Sequence, residues 1–82
     1  MQSVLTLSAL KNGQRAVVRT VHGTGAMYER LCDLGFTPES QVTCLFSSIF
    51  GDPRAYLIKG SVIALRNCDA AQIECNPCGG EP

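Results

Sequence analysis

The sequence has no excess of charge of either sign. Its 82 residues include seven Lys plus Arg and seven Asp plus Glu, and the basic residues are scattered along the chain. Because nucleic acid phosphates are bound by a basic excess or a basic stripe, this balance removes the electrostatic argument for a nucleic acid partner. Aromatic residues are also scarce, with three Phe, two Tyr and no Trp, so the sequence predicts no row of stacking platforms for single-stranded bases.

The chain also lacks a long apolar run. Its apolar stretches are a few residues long, whereas a helix that crosses a bilayer needs roughly 20 residues. Residues 1–10 have neither the basic start nor the apolar centre of a signal peptide. We therefore expect a cytosolic protein, in which the five cysteines remain thiols rather than forming disulfides.

Several catalytic signatures are missing. No Gly-x4-Gly-Lys-Ser/Thr sequence occurs, so nothing predicts a nucleotide site. His22 is the single histidine, and the sequence places no second titratable group beside it, so a general base is not indicated. Without paired carboxylates or a Ser/His/Asp set, we expect a protein that is not an enzyme. The sequence leaves open whether one of the arginines acts on a GTPase in trans, as an arginine finger does. Arg30, Arg54 and Arg66 are candidates by residue type alone.

The clearest local signal that is present is a short helix with a marked end. Met27, Leu31 and Leu34 recur at i, i+4 and i+7, which predicts one apolar face that packs on a core. Gly35 follows at the position where a left-handed residue closes a helix, and Phe36 is then placed to fold back onto Leu31. The side chains left on the polar face of this helix include Tyr28, Glu29 and Arg30, which are therefore the residues available to contact a partner.

The rest of the chain is a series of short alternating segments. They predict strands at residues 15–21, 42–47, 55–58, 61–65 and 71–75, with Val42, Cys44 and Phe46 on one face of the second. Lys59-Gly60 is a two-residue hairpin connection. Because strands this short escape exposed edges by curling, we expect a mainly β small barrel of about five strands, with one short helix inserted after the first long strand. Residues 1–75 form the predicted domain and residues 76–82 a flexible tail.

Two cysteines near the C-terminus form the sharpest local motif, Cys75-Asn76-Pro77-Cys78. Two thiolates at this spacing bind one transition metal, Zn or Fe, but a closed tetrahedral site needs four ligands, so Cys68, His22 or a second subunit would have to add the others. A dithiol redox pair is the alternative, and a pair of idle thiols is the simplest interpretation. A metal- or redox-responsive thiol protein is therefore the second hypothesis for function.

Taken together, the ordered motifs resemble the FeoA family of ferrous-iron-transport accessory proteins. The resemblance extends from about residue 5 to residue 75, and it is carried by the following motifs in this order: Leu7-x-x-Leu10-x-x-Gly13, Arg30-Leu31-x-Asp33-Leu34-Gly35-Phe36-x-Pro38, Gly51-Asp52-Pro53, Gly60-x-x-Ile63-Ala64-Leu65-Arg66, and Ala70 with Ile73. No single motif is specific, but their order and spacing together are.

This resemblance implies an SH3-like β-barrel in a bacterial or archaeal cytoplasm. It also implies partnership with FeoB, the membrane ferrous iron transporter that carries a cytosolic G-protein domain. The leading hypothesis is therefore an adaptor that docks on the cytosolic part of that transporter, either in the cytoplasm or at the inner face of the membrane through its partner. Tyr28, Glu29 and Arg30 are the predicted partner-binding residues, and formation of a homo-oligomer stays open.

Overall fold

Six antiparallel strands form one sheet in the computed structural model, which describes residues 4–47, 49 and 51–77. In chain order the elements are β1 (Leu5–Thr6), a 3-10 helix (Leu7–Ala9), β2 (Arg15–Val21), α1 (Gly25–Asp33), β3 (Gln41–Ser47), β4 (Arg54–Ile58), β5 (Ser61–Leu65), α2 (Asn67–Ala70) and β6 (Ile73–Pro77). The strand order is β1-β6-β2-β3-β4-β5. The mainly β fold with one short helix after the first long strand is therefore confirmed.

The two ends of the chain differ from the sequence prediction. A two-residue strand, β1, pairs with β6, and a single turn of helix, α2, occupies residues that were expected to be a simple break. The last strand continues to Pro77, because Asn76 pairs with Val17 and Pro77 with Ala16. Two residues assigned to the predicted tail thus belong to the sheet, while the remainder of that tail lies outside the described residues.

An irregularity in β3 exposes a large aromatic side chain. Cys44 pairs with Tyr56 and Phe46 with Ala55, so two residues advance along β3 for one along β4. The inserted residue reverses the inward and outward alternation of the strand. Phe46 is consequently 59% exposed, and its predicted place on the same face as Val42 and Cys44, which are both buried, is wrong.

The core collects side chains from nearly every element. Its largest fully buried members are Tyr56, Phe36, Leu7, Leu10, Leu31, Ile58, Ile73, Val18, Val42, Cys44 and Cys75. Tyr56 donates a hydrogen bond from its hydroxyl to the Leu7 carbonyl oxygen at 3.4 Å, which satisfies its one polar atom. Desolvation by burial raises the pKa of Tyr56 to about 12, since the phenolate would lose its hydration there.

The end of α1 has the hydrogen bonds of a Schellman motif. The Gly35 N–H donates to the Cys32 carbonyl oxygen at 3.0 Å, and the Phe36 N–H donates to the Leu31 carbonyl oxygen at 3.1 Å. Gly35 has a φ of +114°, and Leu31 and Phe36 are both buried in the same core cluster. The predicted stop of the helix is confirmed, and it anchors the last turn of α1 to the sheet.

The β4–β5 hairpin also forms as predicted. Ile58 pairs with Ser61 across the two-residue connection. Lys59 and Gly60 have φ values of +50° and +80°, as a type I′ turn requires. This turn carries the Lys59 side chain toward α1, where a Cβ atom placed on Gly35 would lie 3.3 Å from Lys59 Cδ.

We expect Gly35→Ala to lower the free energy of unfolding by about 1–3 kcal/mol, because an L residue is strained at that φ and the added methyl presses on Lys59. Gly60→Ala is the matched control, since its φ is also positive but a Cβ atom there meets nothing within 4 Å. It should cost about 1–2 kcal/mol from backbone strain alone. Urea unfolding followed by circular dichroism measures both, and a Gly35→Ala variant as stable as the wild type would contradict this account of the helix end.

Candidate partner-binding surface

The first two turns of α1 project into solvent. Every residue from Gly25 to Arg30 is exposed, whereas Leu31 is fully buried. The Thr24 backbone is extended at the N-cap, and its side chain makes no capping hydrogen bond. The helix is therefore held through its C-terminal turn, and its N-terminal part presents side chains outward.

The three residues predicted to contact a partner, Tyr28, Glu29 and Arg30, lie together on this exposed part of α1. Tyr28 is 39% exposed. A side-chain hydrogen bond with Cys32, one turn further along, is the main cause that raises the pKa of Tyr28. The structure thus makes these residues accessible, and their role in binding stays a prediction.

Met27 does not follow the predicted apolar face. It is 40% exposed, whereas the prediction placed it in the core with Leu31 and Leu34. Leu34 is half-buried and packs against the core cluster. The prediction for Met27 is wrong because the sheet supports only the last turn of the helix, so a residue one turn earlier extends past the core.

Met27 instead lines a groove of about 290 Å³ between α1, the end of β5 and α2. The groove is lined by Met27, Arg30 and Leu31 from α1, Pro53 before β4, Ala64, Leu65 and Arg66 at the end of β5, and Asp69 of α2. Apolar side chains thus share it with two guanidinium groups and one carboxylate. No sequence motif indicated the groove, because its α1 residues lie more than 20 positions before its other lining residues and meet them only in the folded chain.

The FeoA domain profile matches residues 5–77. This chain belongs to the FeoA family. A curated relative from Porphyromonas gingivalis (strain ATCC BAA-308 / W83), an Fe(2+) transport protein A/Fe(2+) transporter FeoB fusion protein, is 34% identical over 70 residues. That stretch is 85% of this chain and 8% of the relative, so this FeoA-family protein spans a small fraction of the fusion protein's length.

Solved structures of other FeoA proteins share the fold. The solution structure of FeoA from Chlorobium tepidum has a TM-score of 0.87 and 31% identity, covering 95% of this chain and 74% of that one. FeoA of Stenotrophomonas maltophilia, complexed with zinc and described as an SH3 domain protein, has a TM-score of 0.77 and 29% identity, with 87% and 88% coverage. The SH3-like fold expected for this FeoA-family protein is therefore confirmed.

None of the helices in the described part of the chain has the length and apolar character to cross a membrane. The longest, α1, has nine residues. A transmembrane helix needs roughly 20 mostly apolar residues.

Of the predicted Cys75/Cys78 thiol site, the described part of this FeoA-family protein contains Cys75 alone. Cys75 is fully buried in β6, and burial raises the pKa of its thiol to about 11. A cysteine binds a metal ion as the thiolate, and the buried environment of Cys75 disfavours the thiolate at neutral pH. Cys78 lies outside the described residues, and within residues 4–47, 49 and 51–77 no three His, Cys, Asp or Glu side chains are grouped as a metal site.

The two residues named as helper ligands lie elsewhere. His22, which directly follows β2, makes an exposed contact from its Nε2 to Oε2 of Glu74 in β6 at 2.8 Å. Cys68 is exposed on α2, with its thiol 3.9 Å from Asp69 Oδ1. Neither arrangement brings a ligand to the buried thiol of Cys75.

The three arginines that were candidates to act on a GTPase in trans differ in how they are held by the fold. Arg54 is held by the fold, because it donates from Nη1 to the Ser8 carbonyl oxygen at 2.8 Å and from Nη2 to Asn12 Oδ1 at 3.4 Å. Arg30 and Arg66 are exposed and lie at the groove. The groove therefore brings two of the three candidate guanidinium groups together at the surface.

The buried thiol predicts a loss of stability at alkaline pH. Folding raises the pKa of Cys75 from 9.0 to about 11, so the folded state favours the protonated thiol. The contribution of this group to the free energy of unfolding is therefore fully present below about pH 9 and is lost as the pH rises toward 11. We expect the free energy of unfolding to fall over that range by no more than about 3 kcal/mol from this group, at about 1.4 kcal/mol per pKa unit. Urea titrations at pH 8 to 11 would measure the loss.

Cys75→Ala should flatten that pH dependence, while Cys68→Ala, which changes an exposed thiol on α2, serves as the matched control. A Cys75→Ala profile as steep as that of the wild type would show that the loss comes from other groups.

Proposed function

We propose that this protein is a non-enzymatic cytosolic accessory protein of ferrous iron transport that docks on the cytosolic part of a FeoB-type transporter and modulates uptake. The observation that supports this most directly is the Porphyromonas gingivalis relative, whose single chain joins the same domain to a ferrous iron transporter. A covalent fusion holds two parts of one process at a high effective concentration. Separate chains need a docking surface to achieve the same proximity.

The exposed turns of α1, with the adjoining groove, are the proposed docking surface. Tyr28 and Arg30 are of the two residue types, besides Trp, that most often dominate binding energies at protein interfaces. Glu29 adds a carboxylate between them in sequence, and Met27 adds an adaptable apolar contact at the groove. The surface is small, which fits a reversible regulatory contact better than a permanent one.

The alternative function, a metal- or redox-responsive thiol protein, draws support from the zinc complex of the Stenotrophomonas maltophilia relative. Against it stands the burial of Cys75, since a thiol with a pKa of about 11 must lose its proton and its packing before it binds a metal or attacks a disulfide. The docking role requires no such rearrangement, and we favour it.

The docking role is tested by isothermal calorimetry between this protein and the cytosolic domain of the transporter from the same organism. We expect Tyr28→Ala and Arg30→Ala each to weaken binding by about tenfold, because both truncate exposed side chains at the proposed contact. Arg15→Ala is the matched control, since it removes an exposed arginine at the start of β2.

Ferrous iron uptake in a strain that lacks this protein gives the functional readout. We expect uptake to change on deletion, to be restored by the wild type and by Arg15→Ala, and to be restored less by Tyr28→Ala. If the wild-type protein does not bind the transporter's cytosolic domain and uptake is unchanged on deletion, the proposed function is wrong.

A further inference from the structure

The outer edge of β5 has no strand beside it in the described part of the chain. β5 is the last strand in the sheet order, with β4 as its single neighbour. Ser61, Ile63 and Leu65 oppose Ile58, Tyr56 and Arg54, and in a hairpin with a two-residue loop these are the pairs that exchange hydrogen bonds. The N–H and C=O groups of the intervening residues must then point away from β4.

Those intervening residues are Val62 and Ala64, and both are exposed. No hydrogen bond between described residues reaches their backbone from the outer side. Proteins commonly protect an edge strand with a charge, a proline or a bulge. Residues Ser61–Leu65 contain no charged residue and no proline, and their pairing with β4 is regular. Among the described residues, nothing pairs with this edge, and its backbone groups can accept a further strand.

The charges around this edge indicate what kind of strand would fit. Lys59 precedes β5 and Arg66 follows it, and Arg30 of α1 shares the groove with Arg66. Asp69 is the one carboxylate among the residues that line the groove. A second copy of β5 would bring the same two basic ends to the edge, whereas a segment with acidic ends complements them.

The outer face of the hairpin supplies apolar contacts for the side chains of such a segment. Val62 is 61% exposed and lies opposite Leu57, which is 37% exposed. Thr43 continues the same row on β3. A strand added beside β5 would place every second side chain next to this row, because side chains alternate across a strand.

We propose that β5 binds an extended segment of a partner protein as a seventh strand, with apolar residues at alternate positions and an acidic residue at each end. Backbone hydrogen bonds to Val62 and Ala64 supply the affinity. Packing on Val62, together with the acidic contacts to Lys59 and Arg66, supplies the selection, as in other cases of strand addition to a sheet edge. The inference rests on the proposed docking role in one respect, which is that the transporter would be the partner that supplies this segment.

Two probes test the inference, so that its failure can be told from failure of the docking role. The first is the transporter's cytosolic domain. The second is a synthetic peptide, acetyl-Glu-Val-Thr-Val-Thr-Val-Glu-amide, with a matched peptide that carries Lys in place of both Glu residues. We expect the acidic peptide to bind about tenfold or more tightly than the lysine peptide at low salt, with the difference shrinking as salt is added.

Amide hydrogen exchange of the wild-type protein locates the contact without any substitution. Binding of either probe should slow exchange at Val62 and Ala64, whereas Ile63, which already pairs with Tyr56, should change little. If a probe binds and the Val62 and Ala64 amides stay unprotected, the inference is wrong for that probe. If the transporter domain does not bind but the acidic peptide protects both amides, the docking role fails and the strand-addition site stands.

Val62→Pro removes the outward N–H from an edge position that tolerates proline, and should weaken binding of both probes by about tenfold or more. Val62→Thr keeps the branched shape and the N–H, and should bind like the wild type. Equal affinity of Val62→Pro and the wild type would overturn the inference. A wild-type dimer in sedimentation experiments that Val62→Pro converts to monomer would also overturn it, in favour of a second copy at this edge.

Discussion

The burial of Leu31 and Phe36 against the sheet is the interaction on which the placement of α1 depends. Leu31 lies four positions before Gly35 and Phe36 directly after it, and the Phe36 N–H donates to the Leu31 carbonyl oxygen. The glycine allows this reversal because an L residue would be strained at its φ of +114°. Ile58 and Lys59 lie close to the same glycine, so the helix end, the hairpin turn and the core are packed as one unit.

Because α1 is fixed at one end, its other end projects from the domain and is exposed. Leu31 is the one fully buried residue among the nine of the helix, and the turns before it are exposed. In a soluble domain an amphipathic helix usually buries a whole face. Here the buried face is one turn long, which leaves Met27 and Arg30 at the edge of a groove rather than inside the core. A helix attached in this way presents side chains on a rigid base.

The sheet likewise has one buried face and one exposed face. Its inner face is filled, and Cys44 and Cys75 are buried there as small core residues. Its outer face carries exposed apolar side chains on β3, β4 and β5, among them Phe46 and Val62. Cys75, one of the two thiols of the predicted metal or redox motif, is therefore enclosed, while the outer face of the sheet exposes apolar side chains.

Local sequence determined the parts of this protein that depend on neighbours in the chain. The helix end at Gly35, the Lys59-Gly60 turn and the positions of the long strands follow from backbone conformation and alternation, which a few consecutive residues specify. The family also follows from the order of these motifs.

Tertiary structure decided the remaining features, because they depend on contacts between residues that are far apart in the chain. The bulge that exposes Phe46 exists because β3 and β4 pair with one residue in excess. Cys75 is buried because β6 runs between β1 and β2, and that position between two strands is set by residues far away in the chain. The groove joins α1 to β5 and α2 across a long sequence separation, and the strand order leaves the outer edge of β5 without a neighbour among the described residues.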